Sequence, residues 1–205
     1  RYFTSGRRLE GCTVEIGAQT VPFGCDLLFC HRFMPELKVG VELCEDLWAP
    51  DPPSTALALA GATVICNPSA SDELVTKDEY RRQLVSSHAA RLVCGYVYCN
   101  AGDGESTQDV VYTGQNLICE NGVLLAESEA ASGLTISELD VQRLDHERRK
   151  MGYFHRAGRA VREIPWGGAL AQTGLTRPMA QMPFVPENEA LRQALEDAYH
   201  GQGVL

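Results

Sequence analysis

Between Cys12 and Leu125, short apolar and β-branched runs alternate with stretches of helical periodicity. That alternation predicts an α/β layer structure. Strands are expected at 13–16, 26–30, 37–43, 63–66 and 96–99, each short and bounded by turn residues. A helix is expected over 53–60, with proline in its first turn and Gly61 ending it. A longer one should run from Lys77 to Val93, where Tyr80, Leu84, Val85, His88, Ala89 and Leu92 recur at helical spacing. His88 sits on that stripe and reads as a core histidine. Segments 115–119 and 123–127, joined by Glu120-Asn-Gly122, read as a β-hairpin.

Beyond Asp145 the pattern changes. Arg148-Arg149-Lys150 is a compact basic cluster that reads as the positive end of a helix. The following stretch is rich in Gly, Pro, Ala and Gln, with Pro165, Pro178, Pro183 and Pro186 spaced through it, and is expected to be an extended tail or linker. Residues 187–199 then read as a short amphipathic helix. The organisation expected is a domain over 1–150, followed over 151–205 by a linker and helix leading toward a further domain.

The chain has 205 residues, 44% hydrophobic and 22% charged, enough for one sizeable core. Its formal net charge of −9 argues against nucleic acid as a partner, because phosphate binding needs clustered Lys and Arg. No apolar run is long enough to cross a bilayer, and Arg1-Tyr-Phe-Thr-Ser-Gly-Arg-Arg8 lacks the apolar block of a secretory signal, so no membrane association and a cytoplasmic setting are expected. Eight cysteines, at 12, 25, 30, 44, 66, 94, 99 and 119, include no C-x-x-C pair. They are expected to be reduced, with no metal site, and all but Cys44 to be core thiols.

Cys44 differs from the rest. In Val39-Gly-Val-Glu-Leu-Cys44-Glu45-Asp46-Leu-Trp48 an apolar strand delivers a thiol into a turn flanked by acids. A strand end holds a side chain rigidly while leaving it open to substrate, and a thiol is the most nucleophilic side chain near neutral pH once its proton is removed. The competing reading is a buried strand-end cysteine. Glu45 and Asp46 oppose it, because an apolar core does not accept unpaired carboxylates.

Several motifs then coincide: Val21-Pro-Phe-Gly24-x-Asp26, Leu43-Cys-Glu-Asp-Leu-Trp48, Asn67-Pro-Ser69-Ala-Ser71, Glu79-Tyr-Arg-Arg82, Gly104-Glu105-Ser-Thr107-x-Asp109 and Ile118-x-Glu-Asn-Gly122. In this order they resemble the glutaminase domain of glutamine-dependent NAD synthetase, a member of the nitrilase superfamily, and Pro183-Phe-Val-Pro186 resembles its interdomain linker. The resemblance implies a nitrilase-like α-β-β-α sandwich, here lacking its N-terminal strands. It also implies hydrolysis of the side-chain amide of glutamine, with Cys44 as nucleophile and a glutamyl thioester as intermediate. The family's general-base Glu and oxyanion-stabilising Lys would lie before Arg1. Lys38 is no substitute, since six strand residues at ~3.3 Å each put it roughly 20 Å from the thiol. The chain alone is therefore expected to be an internal fragment of little activity.

For substrate, the resemblance gives Glu45 to the α-ammonium of glutamine, against a solvated acid. It gives Ser71 to glutamine binding, against a turn cap, and Lys77 to a carboxylate where relatives carry Arg. Glu105 is expected to order the pocket wall, Trp48 to pack, and Arg81 and Arg82 to be a solvated face or ion pairs. The parent protein would pass ammonia through a tunnel to a C-terminal synthetase domain that uses ATP and magnesium to amidate nicotinic acid adenine dinucleotide to NAD. It would form a homo-oligomer, and this chain would itself hold no cofactor. The competing readings are a stand-alone nitrilase-type amidase or carbamoylase, and a degenerate nitrilase-like scaffold domain.

Overall fold

The computed structural model describes residues 6, 9, 11–102, 104–105, 109–128, 133–155, 160–170, 174–178 and 188–202. Ser106, Thr107 and Pro183-Phe-Val-Pro186 of the motifs lie outside the described residues. The chain divides into two units, Arg1–Thr173 and Gly174–Leu205.

In the first unit, β1 (Cys12–Ile16) and β2 (Gln19–Phe23) form a separate antiparallel hairpin. The main sheet holds β3 (Leu27–His31), β4 (Lys38–Val41), β5 (Val64–Ser69), β6 (Gly95–Asn100), β7 (Leu117–Glu120), β8 (Val123–Glu127) and β9 (Arg162–Trp166), in the order β8-β7-β6-β5-β4-β3-β9. The central strands β4, β5 and β6 run parallel, and their crossovers are the helices α1 (Pro53–Leu59) and α2 (Lys77–Leu92). This is the expected mixed α/β class. Both helices lie on one face of the sheet, where Leu28, Ile65, Tyr96, Tyr98, Leu117 and Cys119 meet Leu57, Val85, Ala89 and Leu92 in one core. Gly40 permits that approach: a Cβ there would meet Leu57 and Ile65 at 3.0 to 3.1 Å. The opposite face is less covered. Val41 is exposed, as is Cys99, while Cys66 and Val97 are half-buried, so the described residues form one helix-covered sheet layer.

Local signals operate where expected. Proline opens α1, and Asn121 and Gly122 take φ values of 47° and 89° in the turn between β7 and β8, as the Asn-Gly signal requires. The basic cluster does end a helix, α3 (Val141–Arg149), but Arg148 is more than its positive end. It is buried and donates to the Val93 carbonyl at 2.9 Å and the Leu92 carbonyl at 2.8 Å, satisfying the terminus of α2.

Some expectations are corrected. Cys25 and Cys99, expected to be core thiols, are exposed. Residues 162–166, expected in an extended tail, form edge strand β9, paired in parallel with β3 from Leu27↔Arg162 to His31↔Trp166. Pro165 is tolerated because an edge strand has one side free of ladder bonds. Arg81, expected on a solvated helix face or in ion pairs, does pair, with Glu73, but is fully buried rather than solvated. Arg82, beside it, does pair at the surface, with Glu79 and Glu127. His88 is buried as expected, its Nε2 2.7 Å from Ser54 Oγ. In the second unit the expected amphipathic helix is α4 (Glu189–Gln202); Asn188 starts it, its Oδ1 accepting from the amide of Ala190 at 2.9 Å.

Candidate active site

Cys44 opens a single 3-10 turn, Cys44–Trp48, after Glu42 and Leu43 carry the chain out of β4. Leu43 is still extended, with φ −116° and ψ 121°, and Cys44 then switches to the left-handed region at φ 47°. For a residue with a Cβ that conformation is sparsely populated and persists only where surroundings enforce it. Three anchors enforce it here. The Leu43 amide donates to Asp46 Oδ2 at 2.9 Å, Leu47 is buried in the core, and the Cys44 amide donates to Asn67 Oδ1 at 3.0 Å. Glu45 is exposed on the same turn, free to face solute. Trp48 packs edge-on against Tyr98, ring centroids 6.4 Å apart, as a packing residue should.

Behind Cys44 lies a buried polar chain. Asn67 Nδ2 donates to Tyr96 Oη at 3.0 Å, Tyr96 Oη donates to Glu42 Oε1, and Glu42 Oε2 accepts the Ser54 amide at 2.9 Å. Burial and the facing Glu42 carboxylate hold the Tyr96 phenol far above the ordinary tyrosine range, so it stays a donor. His88 ends the chain at Ser54; burial, with a lesser push from Arg91, lowers its pKa to about 4 and keeps it neutral.

The second half of the site is the loop after β5. Ser71 is buried, its amide donating to Asn100 Oδ1 at 2.8 Å and its carbonyl accepting from Asn100 Nδ2 at 3.0 Å. Arg81 lies beneath it. Its Nη1 reaches Ser71 Oγ at 3.5 Å and the Asp72 carbonyl at 3.3 Å, Nε donates to Gln115 Oε1 at 2.6 Å, and Nη2 pairs with Glu73. Lys77, first residue of α2, is paired with Asp72, and that hydrogen bond holds the Asp72 carboxyl below the usual carboxylate range. Glu105 closes its own turn by accepting the Gly102 amide.

The Tyr98 hydroxyl is buried with no partner at hydrogen-bonding geometry, as is Ser69 Oγ. Burial raises the Tyr98 pKa, opposed by the neighbouring Ser69 and Ser71 hydroxyls and the Arg81 charge. Cys44 is bonded to Asn67 of β5, and the same strand leads into the loop that carries Ser71. Lys77 is tied to the same loop through Asp72, and Glu45 shares the Cys44 turn. Sequence reasoning missed Glu42, Tyr96 and Tyr98, set Arg81 aside as no site residue, and had Asn67 only as part of a motif, with no partner named. The signal that was available is the two carboxyl or carboxamide side chains, Glu42 and Asn67, inside otherwise apolar strand runs, where each demands a partner.

No family model matches the chain. It is 41% identical over 209 residues to the glutamine-dependent NAD(+) synthetase of Mycobacterium tuberculosis, covering 94% of this chain and 30% of that protein. It is 30% identical over 165 residues to the glutamine-dependent NAD(+) synthetase of Thermotoga maritima, covering 76% of this chain and 28% of that protein. The crystal structure of a glutamine-dependent NAD(+) synthetase from Cytophaga hutchinsonii aligns with a TM-score of 0.50 at 30% identity, over 64% of this chain and 20% of the solved one. The chain therefore spans less than a third of the length of the curated relatives it matches.

Proposed function

Over 94% of its length the chain is homologous to the glutamine-dependent NAD(+) synthetases, and from that premise we propose that it supplies the glutaminase chemistry of such an enzyme. Cys44 attacks the side-chain amide carbon of glutamine, the C–N bond breaks, ammonia leaves with the proton it needs, and water cleaves the glutamyl thioester to glutamate and free thiol. The observation that carries this reading is a cysteine just past a strand end, held at φ 47° by its own turn and by Asn67 of β5, the strand that leads into the Ser71 loop.

Glu45, exposed next to the thiol, meets the α-ammonium of glutamine. Ser71 contributes a hydroxyl backed by Arg81, and Lys77 meets the carboxylate by exchanging it for Asp72. The general base and the oxyanion-stabilising lysine come from outside this chain; Lys38 is committed to Glu163 at 3.4 Å. The ammonia passes through a tunnel to a synthetase domain that uses ATP and magnesium to amidate nicotinic acid adenine dinucleotide, in a homo-oligomer. ATP and magnesium belong to that synthetase domain in this reading, which the absence of a glycine-rich phosphate loop after a strand in this sequence supports. Eight free thiols support a reducing, cytoplasmic setting. The stand-alone amidase and scaffold readings have less support, because the relatives sharing 41% identity are synthetases.

In the full-length protein, Cys44→Ala is expected to abolish NAD formation from glutamine and to leave formation from free ammonia intact. Equal loss with both nitrogen sources, with melting temperature unchanged, would show Cys44 to be structural.

A further inference from the structure

Asn67 touches both sides of the Cys44 residue, accepting its amide at 3.0 Å through Oδ1 and facing its carbonyl at 3.4 Å through Nδ2. A carboxamide can turn over, and turned over it would offer a donor to the Cys44 amide, which is also a donor. The choice between the two orientations is made elsewhere in the chain. The Tyr96 hydroxyl has one proton, and Glu42 takes it. Tyr96 can then only accept from Asn67, so Nδ2 must face Tyr96 and Oδ1 must face Cys44. Glu42 in turn cannot release the proton without cost, because its second oxygen holds the Ser54 amide at 2.9 Å and the side chain is buried. Every donor from Cys44 onward points toward Glu42, and hydrogen bonds aligned in this way reinforce one another.

We propose that Asn67 is a positioning residue for Cys44, and that Glu42, acting through Tyr96, fixes the orientation of the Asn67 amide that holds the nucleophile's main chain in its left-handed conformation. The proposal rests on the reading of Cys44 as nucleophile. It makes a prediction that a merely well-packed core does not share, because hydrogen-bond direction can be reversed without changing volume. In Glu42→Gln, the new amide must either give Tyr96 a proton, which turns the Tyr96 hydroxyl toward Asn67, or face the Ser54 amide donor to donor. In Asn67→Asp, the carboxylate has no proton for a Tyr96 oxygen that needs one. Each substitution is nearly isosteric and each breaks the chain. Together they mend it. The amide introduced at position 42 donates to Tyr96 and keeps its oxygen for Ser54, Tyr96 donates to the carboxylate introduced at position 67, and the other oxygen of that carboxylate accepts the Cys44 amide. Only the long contact to the Cys44 carbonyl is not restored.

The test is a double-mutant cycle in the full-length protein, reading glutamine hydrolysis and melting temperature. Glu42→Gln and Asn67→Asp are each expected to lower kcat about 100-fold, as a small misplacement of a reacting group does, while KM stays put. The double variant is expected to regain most of kcat and of the melting temperature. Effects that simply add would overturn the proposal, as would single variants of wild-type kcat alongside an inactive Cys44→Ala. An active Cys44→Ala would instead sink the nucleophile reading, while recovery of melting temperature in the double variant would still report on the chain. Should a single variant fail to fold, Tyr96→Phe removes one hydroxyl from the same link: faster amide exchange at Cys44 supports the proposal and unchanged exchange overturns it.

Discussion

Cys44 and Ser71 are each held by an asparagine that grips both the amide and the carbonyl of the residue, yet the two grips are backed differently. Asn67, behind Cys44, is fully buried and leads through Tyr96 to Glu42 and the core, a chain of neutral donors ending on one acid. Asn100, behind Ser71, is only half-buried, and the loop it holds is completed by the buried Arg81 guanidinium paired with Glu73 and by a partly exposed Lys77–Asp72 pair. Past Ser71 the loop is open to solvent: Leu74 is exposed and Val75 is 94% exposed, just before Thr76 turns at φ 70°. A bond network closed inside a core has one arrangement, whereas ion pairs at a surface exchange with water at little cost. Under the proposed function, the contrast fits Cys44 as a rigidly held nucleophile and the Ser71 loop as the part that adapts to substrate. Damage to the first region should appear in kcat and damage to the second in KM.

The largest expected effect lies under the loop. Arg81→Met removes a buried cation and strands Glu73, Gln115 and Ser71, which should cost about 3 to 5 kcal/mol in denaturant unfolding, with KM for glutamine raised in whatever folds. A loss below about 1 kcal/mol would mean that the loop is not braced by Arg81 and that the contrast is false.

Next is the acid sensitivity of the chain behind Cys44. The unfolded His88 imidazole takes up a proton below its ordinary pKa of 6.5, and the folded one resists until about 4. Stability should therefore be level on this account above that window and fall as pH drops through it, by about 1.4 kcal/mol per pH unit. His88→Gln, which keeps a partner for Ser54, should flatten thermal unfolding over the same range. Unfolding that stays equally acid-sensitive in the variant would assign the slope to other groups.

Smaller again is the cap of the cysteine turn. Asp46→Ala frees the Leu43 amide and should cost about 1 kcal/mol in unfolding experiments, with kcat falling more than KM changes. The smallest stability effect belongs to Lys77→Ala, whose partly exposed pair with Asp72 contributes little to the melting temperature. It should still raise KM for glutamine, and Lys77→Arg should lower it by offering a carboxylate two parallel donors. A change confined to kcat would move Lys77 to the other side of the comparison.

What the sequence by itself determined is what neighbouring residues decide. Cys44 after an apolar strand, Pro53 at the start of α1, the helical stripe that carries His88 and the Asn121-Gly122 turn were all legible, because each signal acts within one or two turns of chain. Cys44 stood out as a candidate for the same reason, whereas Glu45 and Ser71 were named only through the family resemblance. What only the tertiary structure decided is what holds them. Asn67 meets Tyr96 across 29 positions and Tyr96 meets Glu42 across 54, and β9 reaches β3 from the far end of the unit. Periodicity marked Tyr80 for the buried stripe and left Arg81 for the surface, yet Tyr80 is exposed and Arg81 buried. A long charged side chain takes its burial from the partners that converge on it, and Ser71, Glu73 and Gln115 converge on Arg81 only once the loop after β5 has folded over α2.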